Sequence, residues 1–287
     1  MKQVAVIIPV YKPKPNDFEI ISLKQVIKIL YKYDFKIVTY KELDTAIYDQ
    51  YLQEGKINYK YEYFDPIFFK DLQGYNKLML SKDFYKRFTD YKFILIYQLD
   101  AYVFRDELEY WCEQDYDFIG APLPVLSIKD YKLNQTRDPV YVGNGGFSLR
   151  KIESVIEFLS FKRPIIKPKV IFQYYKKHSK NILKCYLITI IKSLGYKNNI
   201  RYFVKSGVNE DQIFCLIVDE LWINKNLQND ESFLFLKKPT INEAVKFAFE
   251  LYPSTLFEFN NENLPFGCHA WDKYEYNTFW QKYILLT

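Results

Sequence analysis

The chain has 287 residues, with 40 Lys and Arg against 35 Asp and Glu for a formal net charge of +5, and 49% of its residues are hydrophobic. That length supports a large single domain or two lobes sharing one sheet, and no apolar run is long enough for a membrane-spanning helix. Four cysteines, Cys112, Cys185, Cys215 and Cys268, stand far apart with no Cys-x-x-Cys pair, which argues against a zinc site and a disulfide framework and makes a reducing, cytoplasmic compartment the default.

Val4 to Val10 is apolar, too short to span a bilayer and not followed by a small-residue cleavage site, so it reads as the first strand. The proline-stiffened loop Tyr11-Lys12-Pro13-Lys14-Pro15 follows, at a strand's carboxyl end, where Tyr11 and Lys12 can face a ligand. Leu23, Val26, Ile27 and Leu30 have the spacing of an amphipathic helix, and Phe35 to Thr39 is a second strand. Strand, helix and strand in so short a stretch form a βαβ unit, whose crossover implies a parallel sheet. Leu43 to Leu52 and Leu78 to Phe88 read as helices, with Tyr59 to Phe64 as a strand between them.

Phe93 to Tyr97 is apolar without alternation, as suits a central strand covered on both faces, and the run stops at Gln98 and Asp100. An acid at the end of a buried parallel strand is placed to hold a metal ion or a sugar hydroxyl; equally, it can cap the following turn through Asx bonding. Leu108 to Glu113 reads as a short helix, Asp117 to Pro122 as a strand, and 123–142, with Pro124 and Pro139, as loop. Gly143-Asn144-Gly145-Gly146-Phe147-Ser148-Leu149-Arg150 places three glycines in four residues, which requires positive φ or close approach of another group. It matches neither a P-loop nor the dinucleotide fingerprint, and a plain turn and a ligand cradle both remain open. Ile152 to Leu159 is a further helix.

From Lys162 to Lys197 there are ten basic residues and no acidic one, so the rest of the chain is net acidic and one segment carries the positive field. Within it the isoleucines and leucines around Ile182 to Ile191 are spaced for an amphipathic helix. Such a helix either packs its apolar stripe on the body or lies in a membrane interface, with lysines contributing ~1 kcal/mol each near an anionic surface. Nucleic acid is disfavoured, because the rest of the chain is acidic and no nucleic-acid-binding motif is present. Tyr202 to Val204 reads as a short strand. Asn209-Glu210-Asp211 is an ordinary helix start, with Asn209 as cap, and also a candidate catalytic acid pair. His178 lies among lysines and reads as solvated, whereas His269, beside Gly267 and Trp271, is either a ligand or a structural histidine.

The order of these pieces resembles glycosyltransferases of the GT-A type, and in particular a bacterial and fungal glycosyltransferase-like family. Gln98-Leu99-Asp100-Ala101, Phe118-Ile119-Gly120-Ala121-Pro122, the Gly143 to Arg150 stretch and Glu210-Asp211 carry the likeness, which runs from about Val4 to Trp271. It implies an α/β, GT-A-like (Rossmann-like) fold with a mostly parallel central sheet flanked by helices. Residues 1–150 would form a donor-binding half and 151–287 an acceptor-binding half that includes the basic segment 162–197.

The resemblance further implies a nucleotide-sugar donor contacted by Pro9, Tyr11, Lys12, Gln98, Asp100, Asn144, Gly145 and Gly146. Asp211, with Glu210 beside it, would be the base of an inverting transfer to a glycan or lipid-linked acceptor. Asp100 and His269 would hold a divalent metal, manganese or magnesium, although the usual Asp-x-Asp has one acid here. Lys176, Lys177, Lys180 and Trp271 would meet the acceptor or an anionic membrane. The expected setting is cell-surface polysaccharide or glycolipid assembly, in the cytoplasm or peripherally on the inner membrane face. The competing expectation is a non-catalytic membrane- or glycan-binding relative with a degenerate metal site.

Overall fold

The computed structural model describes residues 1–123, 141–162, 164, 168–205, 207, 209–214 and 236–285. In chain order the first part contains β1 (Lys2–Pro9), α1 (Asp17–Ile29), β2 (Asp34–Thr39), α2 (Ala46–Glu54), β3 (Tyr59–Tyr63), α3 (Leu72–Met79), α4 (Lys82–Lys86), β4 (Tyr91–Tyr97) and β5 (Ala101–Val103). There follow α5 (Leu108–Glu113), β6 (Phe118–Ile119), β7 (Pro122–Leu123), β8 (Tyr141–Val142), β9 (Phe147–Lys151) and α6 (Ile152–Ser160). The last part holds α7 (Pro168–His178), α8 (Ile182–Ser193), α9 (Ile200–Lys205), α10 (Glu210–Gln212), α11 (Ile241–Phe247), β10 (Ala248–Phe249), α12 (Pro253–Phe259) and β11 (Gly267–His269).

The central sheet has the order β3-β2-β1-β4-β9-β6. β1 pairs in parallel with both β2 and β4, β2 pairs in parallel with β3, and β9 runs antiparallel to both β4 and β6. The fold is thus α/β with a mostly parallel sheet flanked by helices. Both faces of β1 and β4 are covered, which is why these strands show no polar alternation. Val4, Val6 and Ile8 join Leu23, Val26 and Ile27 of α1 in one core layer, while Ala5 and Ile7 join Leu78, Met79 and Phe84 in the other. A third cluster gathers Trp271, Phe279, Trp280 and Ile284 around β10 and β11.

Several local expectations are corrected. The helix predicted over Leu78 to Phe88 is two helices, because the chain breaks at Leu80 and Ser81 caps α4 by accepting a hydrogen bond from the Asp83 amide at 3.2 Å. Tyr202 to Val204 belongs to helix α9 and not to a strand. The strand predicted over Asp117 to Pro122 splits at Gly120 into β6 and β7, where a side chain would collide with the backbone of Gly143 and Asn144. The ends of the predicted 123–142 loop pair as β7 and β8, with Pro122 opposite Val142; its interior and Cys215 lie outside the described residues. Trp271, expected at the acceptor or membrane, is fully buried and packs edge-on against Phe18 at 5.3 Å. No helix among the described residues is long and apolar enough to cross a membrane.

Candidate active site

The strand order reverses at β1, which has β2 on one side and β4 on the other. A crevice opens outside the carboxyl ends of strands at such a reversal. Here that crevice is a cleft of about 430 Å³. Pro9, Tyr11 and Lys12 after β1, and Gln98 and Asp100 after β4, all line it, together with Tyr48, Tyr75, Asp272 and Lys273. The N-terminus of α1 forms one wall. Asn16 caps that helix by accepting from the Glu19 amide at 2.9 Å, and Glu19 accepts from the Asn16 amide at 2.7 Å, a capping box. Glu19 also pairs with Lys12 at 2.7 Å, and Tyr48 donates to the Lys12 carbonyl at 2.9 Å, so the loop after β1 is held in place.

The floor of the cleft is a polar cluster built by β5 and β11. These strands pair antiparallel with Ala101 opposite His269, which brings the residue before β5 and the residue ending β11 together. Asp100 Oδ1 lies 3.0 Å from His269 Nε2, and Asp100 Oδ2 accepts from Lys273 Nζ at 2.6 Å. His269 Nε2 is also 3.1 Å from Gln98 Oε1, and its Nδ1 is 3.1 Å from Glu250 Oε1. Burial works against charge at Asp100, yet the His269 and Lys273 cations hold its carboxyl well below the usual carboxylate range. Burial likewise disfavours a charged His269, but the carboxylates of Asp100 and Glu250 raise it to about 10. Tyr75 adds a buried hydroxyl on the cleft wall with no hydrogen-bond partner among the described residues.

Asp100, Gln98 and His269 are the side chains that a cation here would meet. Asp100 Oδ1 and Gln98 Oε1 both lie within 3.1 Å of His269 Nε2, and Glu250 on Nδ1 takes the place an outer carboxylate has on a metal-bound histidine. A proton on Nε2 now satisfies the two oxygens, so a metal would replace that proton. Among the described residues no group of three or more His, Cys, Asp or Glu could hold a metal; this set has two such residues and the Gln98 amide.

The glycine loop stands behind this floor, and its residues are not among those lining the cleft. Side chains at Gly145 and Gly146 would collide with the Glu210 carboxylate and the His269 ring, so close approach is what these glycines permit. Asn144, in the left-handed region at φ 77°, accepts from the Phe147 amide at 2.9 Å and donates to Glu250, buttressing the partner of His269. The Gly146 carbonyl accepts from the Gln98 amide at 2.8 Å and so sets the end of β4.

The two adjacent acids separate in role. Glu210 is 4% exposed and pairs at 3.2 Å with the fully buried Arg150, which also donates to the Gly145 carbonyl and the Tyr85 hydroxyl. It thus neutralises a buried guanidinium beneath the glycine loop. Asp211 is only partly buried, and desolvation and then the Glu210 charge push its carboxyl up to about 7. Asp211 does not line the cleft, but Asn209 accepts from Asn76 at 3.0 Å and so ties this turn to α3, whose Leu72 and Tyr75 do. Asn209 stands at the N-cap position without making a side-chain capping bond.

Sequence reasoning missed Glu250, Lys273 and Glu19. Glu250 ends the buried pair Ala248–Phe249 just as Asp100 follows a buried strand, and that shared pattern was the available signal. Lys273 lies four residues beyond His269, and nothing in its local sequence sets it apart from other lysines.

Fold and cleft together define an α/β protein with a charged cleft at a topological switch point. The chain belongs to the family described as Protein of unknown function (DUF5672), which matches residues 58–269. No curated protein matches it. Among solved structures it is similar to mouse xyloside xylosyltransferase 1 in its apo form, at 10% identity and TM-score 0.47 over 93% of this chain and 97% of that one. It is also similar to Staphylococcus aureus TarS 1-349, at 12% identity and TM-score 0.36 over 54% of this chain and 48% of that one. A third is core-mannan synthase A from Aspergillus fumigatus in its Mn/GDP form, at 14% identity and TM-score 0.34 over 44% of this chain and 43% of that one. The matches to TarS and the mannan synthase thus span less than half of those chains, and no residue's role follows from any of the three.

Proposed function

We propose that the chain is a glycosyltransferase of hexosyltransferase type, moving a sugar from a nucleotide-sugar donor to a glycan or lipid-linked acceptor. The observation that carries this reading is the cleft at the β1/β4 reversal, floored by Asp100 between two cations. A nucleoside diphosphate needs an apolar or aromatic wall for its base and positive charge for its phosphates. Tyr11, which is 55% exposed, offers the ring, and Lys273 on the cleft wall offers the charge.

In this reading residues 1–150 supply most of the donor cleft and 151–287 hold the acceptor, with His269 and Lys273 reaching back across. Asp100, Gln98 and His269 would hold a divalent cation, manganese or magnesium, whose chemistry is to neutralise the departing diphosphate. Lys273 donates to the same charge. Asp211, poised near neutrality, takes the proton of the acceptor hydroxyl in a single inverting displacement. The setting is surface-polysaccharide or glycolipid assembly, in the cytoplasm or peripherally on the inner membrane face.

Calorimetric titration with nucleoside diphosphates and hydrolysis of common nucleotide sugars, each with and without manganese, test the reading. Binding and slow hydrolysis of one donor are expected; no binding and no turnover with any of them defeats it. The ion pair between Lys273 and Asp100 favours a second reading, a non-catalytic glycan-binding relative. That reading predicts glycan binding with no donor turnover at any metal concentration.

A further inference from the structure

Helix α8 is turned inside out relative to an ordinary surface helix. Leu183, Tyr186, Leu187, Ile190, Ile191 and Leu194 recur at the spacing of one face of a 3.6-residue helix. All six are exposed, Leu183 at 75%, Leu187 at 60%, Ile190 at 57% and Leu194 at 83%. The opposite face holds Cys185 and Thr189, both buried, and Thr189 satisfies its hydroxyl on the Cys185 carbonyl at 2.7 Å. The arrangement is fixed by α7, whose Phe172 ring lies 4.6 Å from that of Tyr186. An exposed apolar strip of this length is unusual for a surface helix and marks a contact surface.

The charge around the strip states what it contacts. Lys176, Lys177 and Lys180 at the end of α7, with Lys184 and Lys197 on and after α8, are all exposed. No acidic residue stands between Lys162 and Asn209. We propose that α7 and α8 dock on an anionic lipid surface, with the apolar strip of α8 entering the boundary between headgroups and acyl chains while the lysines meet the headgroups. The strip lies on a single helix, it mixes aliphatic side chains with tyrosine, and the exposed charges around it are of one sign, which is the make-up of an interfacial helix. Its 12 residues are too few to cross a bilayer, so it lies in the plane. This surface does not depend on the glycosyl-transfer reading, and its test needs no turnover.

The full chain is sedimented with phosphatidylcholine vesicles containing or lacking phosphatidylglycerol. The expected result is binding to the anionic vesicles, weaker by about tenfold or more without phosphatidylglycerol or in high salt. Leu187→Glu with Ile190→Glu abolishes binding with no change in the thermal midpoint, because both residues are exposed, and Leu183→Ser with Leu194→Ser at the two ends of the strip gives the same loss. Lys176→Glu with Lys177→Glu and Lys180→Glu removes the preference for anionic lipid. The proposal is overturned if the wild type does not sediment with anionic vesicles or if the strip variants sediment as the wild type does. It is also overturned if light scattering shows a vesicle-independent dimer that the strip variants dissolve, which would make the strip an interface between two copies.

Discussion

Glu210 and Asp211 are neighbours in sequence and opposites in chemistry. Glu210 is fixed against a buried arginine, so Glu210→Ala leaves an uncompensated guanidinium and should cost about 3–5 kcal/mol in urea unfolding, whatever it does to activity. Asp211→Asn should instead leave donor binding intact and raise stability slightly at neutral pH, where it removes a disfavoured charge, while lowering turnover by roughly 10² to 10⁴-fold. Because Asp211 acts as a base only when ionised, the rate should rise as pH climbs through about 7. The stability sign is the reverse. The native carboxyl keeps its proton to higher pH than the unfolded one, so the contribution of Asp211 to stability falls as pH rises from the ordinary carboxylate range towards 7. A rate profile that is flat from pH 6 to 8 would count against Asp211 as the base. Lys273→Met should weaken nucleoside diphosphate binding by about tenfold, since it removes one charge-assisted contact, and titration calorimetry reads this directly. None of these distinctions was legible from the acid pair itself; they arise from the burial of Arg150 and from a lysine that reaches Asp100 across 173 positions.

At the scale of elements, the loop after β1 depends on the start of α1. Asn16→Ala should cost about 1 kcal/mol in chemical denaturation through loss of the cap. It should also weaken donor binding, since Glu19, the reciprocal member of the box, is the residue that anchors Lys12. Elements with long apolar periodicity were readable: β1, α1, β2 and β4 stand close to where pattern places them, because their burial is dictated by their own residues. Short segments were not. Tyr202 to Val204 has the composition of a strand, but at this length composition decides little, and Asn199 turns the chain into α9 by accepting from the Tyr202 amide at 2.8 Å. The amphipathic period of α8 was equally plain in the sequence, while the direction its apolar face points is a property of the packing around it.

For the whole molecule, the sequence implied a parallel sheet but not its order. The antiparallel insertion of β9 between β4 and β6 is what carries the glycine loop back beneath the end of β4 and lets Gly146 hold Gln98. Charge is likewise distributed at this scale: much of the basic segment lies on α7 and α8, whereas the cleft is lined by Lys12, Lys70 and Lys273.

The pairing of β5 with β11 has a consequence in time. β1 and β4, which shape the cleft, come from the first third of the chain, but His269 and Lys273 join Asp100 only through strands 164 or more residues apart in sequence, such as Val103 with Gly267. Closing so long a loop is slow relative to local contacts. During synthesis the βαβ half can therefore fold with its crevice open and Asp100 unneutralised, and the charged floor is completed only after the ribosome has delivered β11. A nascent chain halted before Gly267 should be folded in its first half and unable to bind a nucleoside diphosphate.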